Sequence, residues 1–277
     1  MQKHFAVVAI ALMLPLCALV TASFLPAGAH GLEPAESTKQ GPAWEQTKSI
    51  AAPEAHQAAA ADEKYAYAIT NSKIAKYDRK TDQRVATSTA KIVVKHLNSG
   101  FFHEGKLYCA HSNYPLKPEQ SEIMLLDPAS MEIAVFKDFG NFGGSLTWAI
   151  QRGEHWWCNF ARYGSTNQET FLVRFDDKWN ETGRWTYPDV VINQIGSASI
   201  SGGVWHKDTL LVTDHDHGVL YRLQVPAADK KSTELEFIAQ EKAPFTGQGI
   251  AHDPVTGGLV GINRAKKEIL FAVPAKP

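Results

Sequence analysis

Cysteine is scarce in this 277-residue sequence, with Cys17, Cys109 and Cys158 making three in all. That excludes a small scaffold stapled by disulfides, which needs several pairs in a short chain. A surplus of either charge is also missing: 28 Lys and Arg stand against 29 Asp and Glu, for a formal net charge of -1. Without a basic surplus or a long Lys/Arg cluster, nucleic acid is not expected as a partner, nor is an anionic membrane surface. Heptads and Gly-X-Y triplets are absent, which excludes coiled-coil and collagen-like fibres. No HExxH, CxxC pair, Walker loop or GxSxG occurs, so no short motif names a reaction. Apolar residues are plentiful, at 44%. That is enough for a sizeable core and too many for a disordered chain.

The N-terminus reads as an address. Lys3 and His4 precede an almost unbroken apolar run from Phe5 to Val20, and Val20-Thr21-Ala22 and Ala27-Gly28-Ala29 offer small-residue cleavage sites. This three-part pattern predicts a secretory signal peptide over residues 1–22 and a periplasmic or secreted protein. An uncleaved anchor is the alternative, although the run is near the lower limit for spanning a bilayer. Lipidation at Cys17 is disfavoured by Leu16, which stands where a lipobox has a small residue. No membrane span is expected after cleavage. Residues 23–45 are rich in Ala, Pro, Glu, Ser, Thr and Gly and read as a flexible leader. One domain is expected over 46–277.

That domain is built of repeats. Asn98 to Phe102 leads through a polar turn to Lys106-Leu107-Tyr108-Cys109. Leu146 to Ile150 leads to His155-Trp156-Trp157-Cys158, and Ser201 to Trp205 leads to Thr209-Leu210-Leu211-Val212. Gly247 to Ala251 leads to Gly258-Leu259-Val260, and a weaker copy runs from His56 to Tyr67. Each is a small-residue strand, a tight turn and a β-rich strand. Third strands follow at Ile74 to Asp78, Ile123 to Asp127, Phe171 to Asp176, Val219 to Leu223 and Glu268 to Val273. Fourth strands follow in four copies. Asp78, Asp127 and Asp176 each precede a turn and read as turn formers. Equivalent positions Ala59, Phe101, Ala149, Val204 and Ile250 differ by 42, 48, 55 and 46 residues, the spacing of propeller blades. The last copy lacks a fourth strand, which Gln46 to Ala52 would supply, closing the ring and protecting its edge. The fold class is all-β, a five-bladed β-propeller of four-stranded antiparallel blades.

Cys109 and Cys158 then fall at the same place in adjacent blades. Sheets packed about 10 Å apart exceed the reach of a disulfide, about 7 Å between Cα atoms. Two buried free thiols are expected.

First strands of a propeller line its central channel. The polar channel column reads Gln57, Ser99, Thr147, Gly202 and Gln248, either lining water or contacting ligand. The column leaving the second strands reads Asn71, Asn113, Arg162, Asp216 and Arg264, with Ser112, His215 and Asn263 beside it. Arg162 and Arg264 could converge on one carboxylate or phosphate with fork geometry. The densest cluster of chemistry is Asp214-His215-Asp216-His217. In extended chain the two Asp would point one way and the two His the other. Asp214, Asp216 and His215 are therefore candidate acid–base groups. Asp214, Asp216 and Asn159 are candidate ligands of a divalent metal, Ca or Zn, with His56, His111 and Asn113 as further donors.

Leu210 to Asp214 followed by Val219 to Arg222 resembles the blade phrasing of the SMP-30/gluconolactonase-like propellers. The resemblance covers one blade and implies a metal-dependent lactone hydrolase with Asp214 or Asp216 and Asn159 on the metal. The five blades and the exported context are similar to glutaminyl-peptide cyclotransferases of the bacterial and plant type. Phe245 to Ile250 is similar to their Thr-Gln-Gly phrase with an inserted Gly, whereas their Glu-Gly-Trp-Gly phrase is absent. Two functions follow as expectations. One is a propeller that binds a small anionic molecule or peptide at its channel face. The other is a metal-dependent lactonase, cyclase or isomerase using the Asp214–His217 loop.

Overall fold

The computed structural model describes residues 39–227 and 232–276. The segment read as a signal peptide, and the leader up to residue 38, lie outside the described residues. The described residues form five antiparallel sheets, the blades of a five-bladed propeller.

The first strand, β1 (Trp44–Ala51), belongs to the last blade. Blade 1 is β2 (Ala58–Ala61), β3 (Tyr65–Ile69), β4 (Ile74–Asp78) and β5 (Arg84–Thr87). A two-residue strand, β6 (Thr89–Ala90), leaves it and adds in parallel to the outside of blade 2. Blade 2 is β7 (His96–His103), β8 (Lys106–Ser112), β9 (Ser121–Leu126) and β10 (Glu132–Gly140). Blade 3 is β11 (Ser145–Arg152), β12 (His155–Ala161), β13 (Phe171–Phe175) and β14 (Glu181–Thr186). A short helix, α1 (Asp189–Ile195), lies in the connection to blade 4, which is the longest step between copies. Blade 4 is β15 (Gly203–His206), β16 (Thr209–Thr213), β17 (Val219–Gln224) and β18 (Glu236–Lys242). Blade 5 is β19 (Ala251–His252), β20 (Leu259–Asn263) and β21 (Glu268–Pro274), completed by β1.

Local chemistry explains the hairpins. The turn between β7 and β8 is Glu104-Gly105, with φ of 48° and 72°. Two positive φ values give a primed turn whose twist matches that of the strands. Asp78 accepts from the backbone N–H of Lys80 and Thr81, Asp127 from that of Ala129, and Asp176 from those of Lys178 and Asn180. These three Asp residues form turns, as their sequence context indicated.

The core lies between blades. Tyr108 and Ile123 of blade 2 pack on Leu146, Trp156 and Phe160 of blade 3. Trp148, Trp157 and Leu172 of blade 3 pack on Leu210, Val212 and Tyr221 of blade 4, with Val191 and Ile195 of α1 closing the wedge. Trp148 is fully buried. An indole that size removes about 200 Å² from water, roughly 5 kcal/mol of apolar burial. Blade 1 is built of alanine at its inner end, Ala58 to Ala61, all buried. Small side chains admit close inter-blade approach at the crowded axis.

Ring closure joins the two ends of the chain. β1 runs antiparallel to β21 from Trp44↔Pro274 to Ala51↔Glu268. Residues just before it, within the segment read as leader, also pair: Gly41 donates to the carbonyl of Gln240 at 2.8 Å, and Gln240 donates to that of Lys39 at 2.8 Å. The Trp44 indole donates to the buried carboxylate of Glu241, which also takes two donors from Arg222. A closing strand is thereby fixed to blade 4 as well as to blade 5. Cys109 and Cys158 are free and buried, and burial pushes both thiols above their ordinary range.

Candidate functional site

The hairpin registers correct one column. Closing pairs His103↔Lys106, Arg152↔His155 and His206↔Thr209 place Gly100, Ala149 and Gly203 at one level, opposite Cys109, Cys158 and Val212. Phe101 and Val204 therefore sit one residue farther along than their expected partner Ala149. The polar channel column is Gln57, Asn98, Thr147, Ser201 and Gln248, all buried. Ser99 and Gly202 belong to the next level, with Trp148. Beyond that level β7 and β11 are each bulged, between Leu97 and Gly100 and between Leu146 and Trp148. A bulge inserts a residue and re-aims a side chain. Apolar content marks Phe101, Ala149 and Val204, whereas the three equal hairpins set the level and bring Asn98 and Ser201 into the column.

Much of this column staples blades together. Thr147 Oγ1 donates to the carbonyl of Ile200 at 2.7 Å, and Asn98 Nδ2 to that of Leu146 at 3.3 Å. Ser99 Oγ reaches the carbonyl of Ile250. The Gln57 carbonyl accepts from the N–H groups of Gln248 and Gly249 at 3.2 and 3.0 Å. Its side chain donates to Asn71, and its Oε1 has no partner. Asn113 folds its own loop, donating to the carbonyl of Pro118 and accepting from the N–H of Gln120. Asn263 accepts from the N–H of Lys266 in the next turn.

The Asp214–His217 segment is a tight turn, not the extended chain expected. Asp216 N–H donates to the carbonyl of Asp214 at 2.9 Å, and His215 holds a left-handed φ of 72°, a strained conformation for a residue with a side chain. Asp214 is buried and turned inward. It accepts from the His217 backbone at 2.9 Å, meets His217 Nδ1 at 3.1 Å and takes the Tyr221 hydroxyl at 3.4 Å. Burial pushes its carboxyl above the ordinary range against these bonds. Asp216 faces the other way, 2.7 Å from His215 Nδ1 and 3.5 Å from Arg264 Nη1. His215 Nε2 lies 2.8 Å from the amide nitrogen of Gln248. An amide nitrogen can only donate. Nε2 therefore accepts, and Nδ1 carries the proton toward Asp216.

The metal donors are not brought together. Asn159 is fully buried, donating to Thr147 Oγ1 and the carbonyl of Ile200 and accepting from the Tyr187 hydroxyl at 2.8 Å. Asp214 and Asp216 turn to different partners. Among the described residues, no group of three or more His, Cys, Asp or Glu is placed to hold a metal ion. These residues do not fit the divalent-metal set read from the sequence.

What the structure does bring together is a cavity of about 220 Å³ at the channel mouth. His96 and Asn98 come from blade 2, Tyr163 from the loop leaving β12, Ser199 from the connection to blade 4, His215 from blade 4 and Gln248 from blade 5. Tyr114 and Tyr163, with ring centroids 4.9 Å apart, form one wall. Behind that wall lies a groove of about 200 Å³ lined by Tyr114, Leu116, Ser145, Arg162 and Tyr163. Arg162 and Arg264 thus flank the mouth in separate surroundings.

His96 lines the mouth, and its pKa and those of nearby His111 and His56 are lowered. His111 Nε2 accepts the backbone N–H of Lys95 at 3.0 Å, so its Nδ1 proton points to Glu122 at 2.9 Å. Burial, then His96 and Lys95, lowers its pKa to about 4. Burial, then His56, lowers that of His96. Burial, followed by Lys267 and Arg264, lowers that of His56.

The opposite end of the channel is apolar. Phe101, Phe102, Ile150, Val204 and Trp205 line a cup of about 210 Å³ there. His103 lines it too, and His103, His155 and His206 are all half-buried.

The fold is similar to the crystal structure of Myxococcus xanthus glutaminyl cyclase, with a TM-score of 0.55 and 8% identity over 85% of this chain and 97% of that one. It is also similar to Kuenenia stuttgartiensis hydrazine synthase, with a TM-score of 0.45 and 10% identity over 78% of this chain and 70% of that one. At such identities the likeness concerns the fold alone. No family model matches the chain, and no curated protein matches it.

Proposed function

We propose that the propeller is an extracytoplasmic binding protein that takes a small anionic molecule or peptide at the mouth of its central channel. One observation carries this reading. Neutral hydrogen-bonding side chains from blades 2, 3, 4 and 5 line one cavity, flanked by two guanidinium groups with unfilled donors. Arg162 Nε and Arg264 Nε and Nη2 have no partner. A guanidinium offers five donors in a fork that suits a carboxylate or phosphate. The export half of the proposal rests on the N-terminal apolar run and is tested by N-terminal sequencing of the protein recovered from periplasm or medium.

Binding is tested by titrating purified protein with a panel of small carboxylates, phosphates and short peptides. Arg264→Ala and His215→Ala are each expected to weaken the best ligand by about tenfold or more, since a hydrogen bond to a charged group contributes roughly 1.5–3 kcal/mol. Unchanged affinity in both variants sinks the reading. The His215–Asp216 pair favours a second reading, acid–base chemistry on the bound molecule: His215 Nε2 is the unprotonated nitrogen of a carboxylate-oriented imidazole at the mouth, reached by a substrate that displaces the Gln248 amide. Chemical change in the bound ligand over time, lost in His215→Ala, separates an enzyme from a binder.

A further inference from the structure

The geometry points to a short peptide with a free C-terminal carboxylate as the ligand, its chain in the mouth cavity and its last residue in the groove behind Tyr114 and Tyr163. The inference deepens the binding reading and rests on it.

The two spaces share a wall and differ in chemistry. Among its lining residues the mouth cavity has no Lys, Arg, Asp or Glu. Asn98 Nδ2 donates to Leu146, Ser199 meets Ser201, and His215 holds Asp216 and Gln248; the amide oxygens and second N–H hydrogens of Asn98 and Gln248 are the groups left to a ligand. Such a surface suits alternating amide N–H and C=O groups and gives nothing specific to a full charge. The adjoining groove is different. It contains Arg162, which makes no ion pair with any described residue and whose Nε is buried without a partner. Arg264 on the other flank already faces Asp216, so Arg162 is the cation left for a ligand. Apolar surface stands next to it, with Leu116 at 51% and Tyr114 at 42% exposure. Lys117 at the rim is already paired with Glu119. A carboxylate beside an apolar side chain, continuous with a run of amides, is the end of a peptide. A free phosphate or a lone small carboxylate would satisfy Arg162 and leave the mouth cavity unused.

The test is affinity selection from a tripeptide library with free C-termini and from the same library amidated, read by mass spectrometry after gel filtration with the protein. The free-acid pool is expected to be retained, enriched in apolar last residues. Its best member should bind about 10- to 100-fold more tightly than its own amide. Arg162→Gln should erase that acid-over-amide preference at an unchanged melting temperature, and Arg162→Lys should restore part of it. Equal retention of both pools, still lost in His215→Ala, overturns the carboxylate site and leaves the mouth reading intact. Retention of neither pool by a protein that binds a small anion from the panel overturns the peptide. Failure of every probe, small anions included, overturns the binding reading itself.

Discussion

Removing the carboxylate of Glu241 is expected to loosen the closure of the ring. Its side chain is fully buried and takes three donors: Arg222 Nε at 2.6 Å, Arg222 Nη2 at 3.1 Å and the Trp44 indole at 2.8 Å. The first two form a bidentate fork on β17, and the third holds the closing strand β1. In Glu241→Ala the guanidinium of Arg222, 15% exposed, keeps only Thr209 Oγ1. Stranding one member of a buried pair destabilises by about 3–5 kcal/mol. The orphaned indole N–H adds to this within the same range, because the contacts share one carboxylate and are not additive. For a domain of this size each kcal/mol moves the melting temperature by about 2–4 °C, so a drop of roughly 10 °C is expected by circular dichroism. Two companions check the mechanism. Trp44→Phe, losing the indole bond to the carboxylate and part of a buried ring, should drop by about 1.5–3 kcal/mol. The double variant Glu241→Leu with Arg222→Met should recover much of the loss, since no charge is left behind. A Glu241→Ala melt within 2 °C of the parent, or a double variant no better than the single, refutes the reasoning.

Acidification should destabilise the fold through His111. The unfolded chain binds a proton near pH 6.5 that the folded protein refuses until about 4, so stability falls as pH drops through that window, by up to about 3 kcal/mol. Melts at pH 7, 6 and 5 should show the slope, and His111→Gln should flatten it; an unaltered slope counts against His111. Gly203→Ala would set a methyl group 2.5 Å from the buried Trp148 ring. A loss of about 1–3 kcal/mol in urea unfolding is expected, and a neutral result means that the indole can shift. Native protein lacking residues 1–22 should leave both thiols unreactive to Ellman's reagent, and both should react in guanidinium; rapid native titration would contradict their burial.

Blade number, ring closure and the free thiols were legible in the sequence for one reason. Each follows from periodicity along the chain: strand, turn, strand, with Asp78, Asp127 and Asp176 marking turns. The candidate site was legible only in part. His215, Gln248 and Arg162 were found because they lie at strand ends that line up between copies. Asn98 and Ser201 lie one residue from the positions that apolar content marks, although the three hairpins are equal in length, and a one-residue slip turns a strand's side chains to the other face. Tyr114, Tyr163 and Ser199 come from loops of unequal length, where copies have no common register, and His96 opens β7 ahead of its bulge.

The sequence alone therefore determined how the chain divides into blades and how its ends meet, since hydrophobic pattern and turn chemistry act over a few residues. Only the tertiary structure decided which polar side chains bind neighbouring blades together, as Thr147 and Asn159 do, and which face open space at the mouth. It likewise turned Asp214 inward and Asp216 outward. That choice depends on bulges, on one left-handed residue and on contacts between segments some fifty residues apart, as from Thr147 to Ile200, and spacing along one chain cannot encode it.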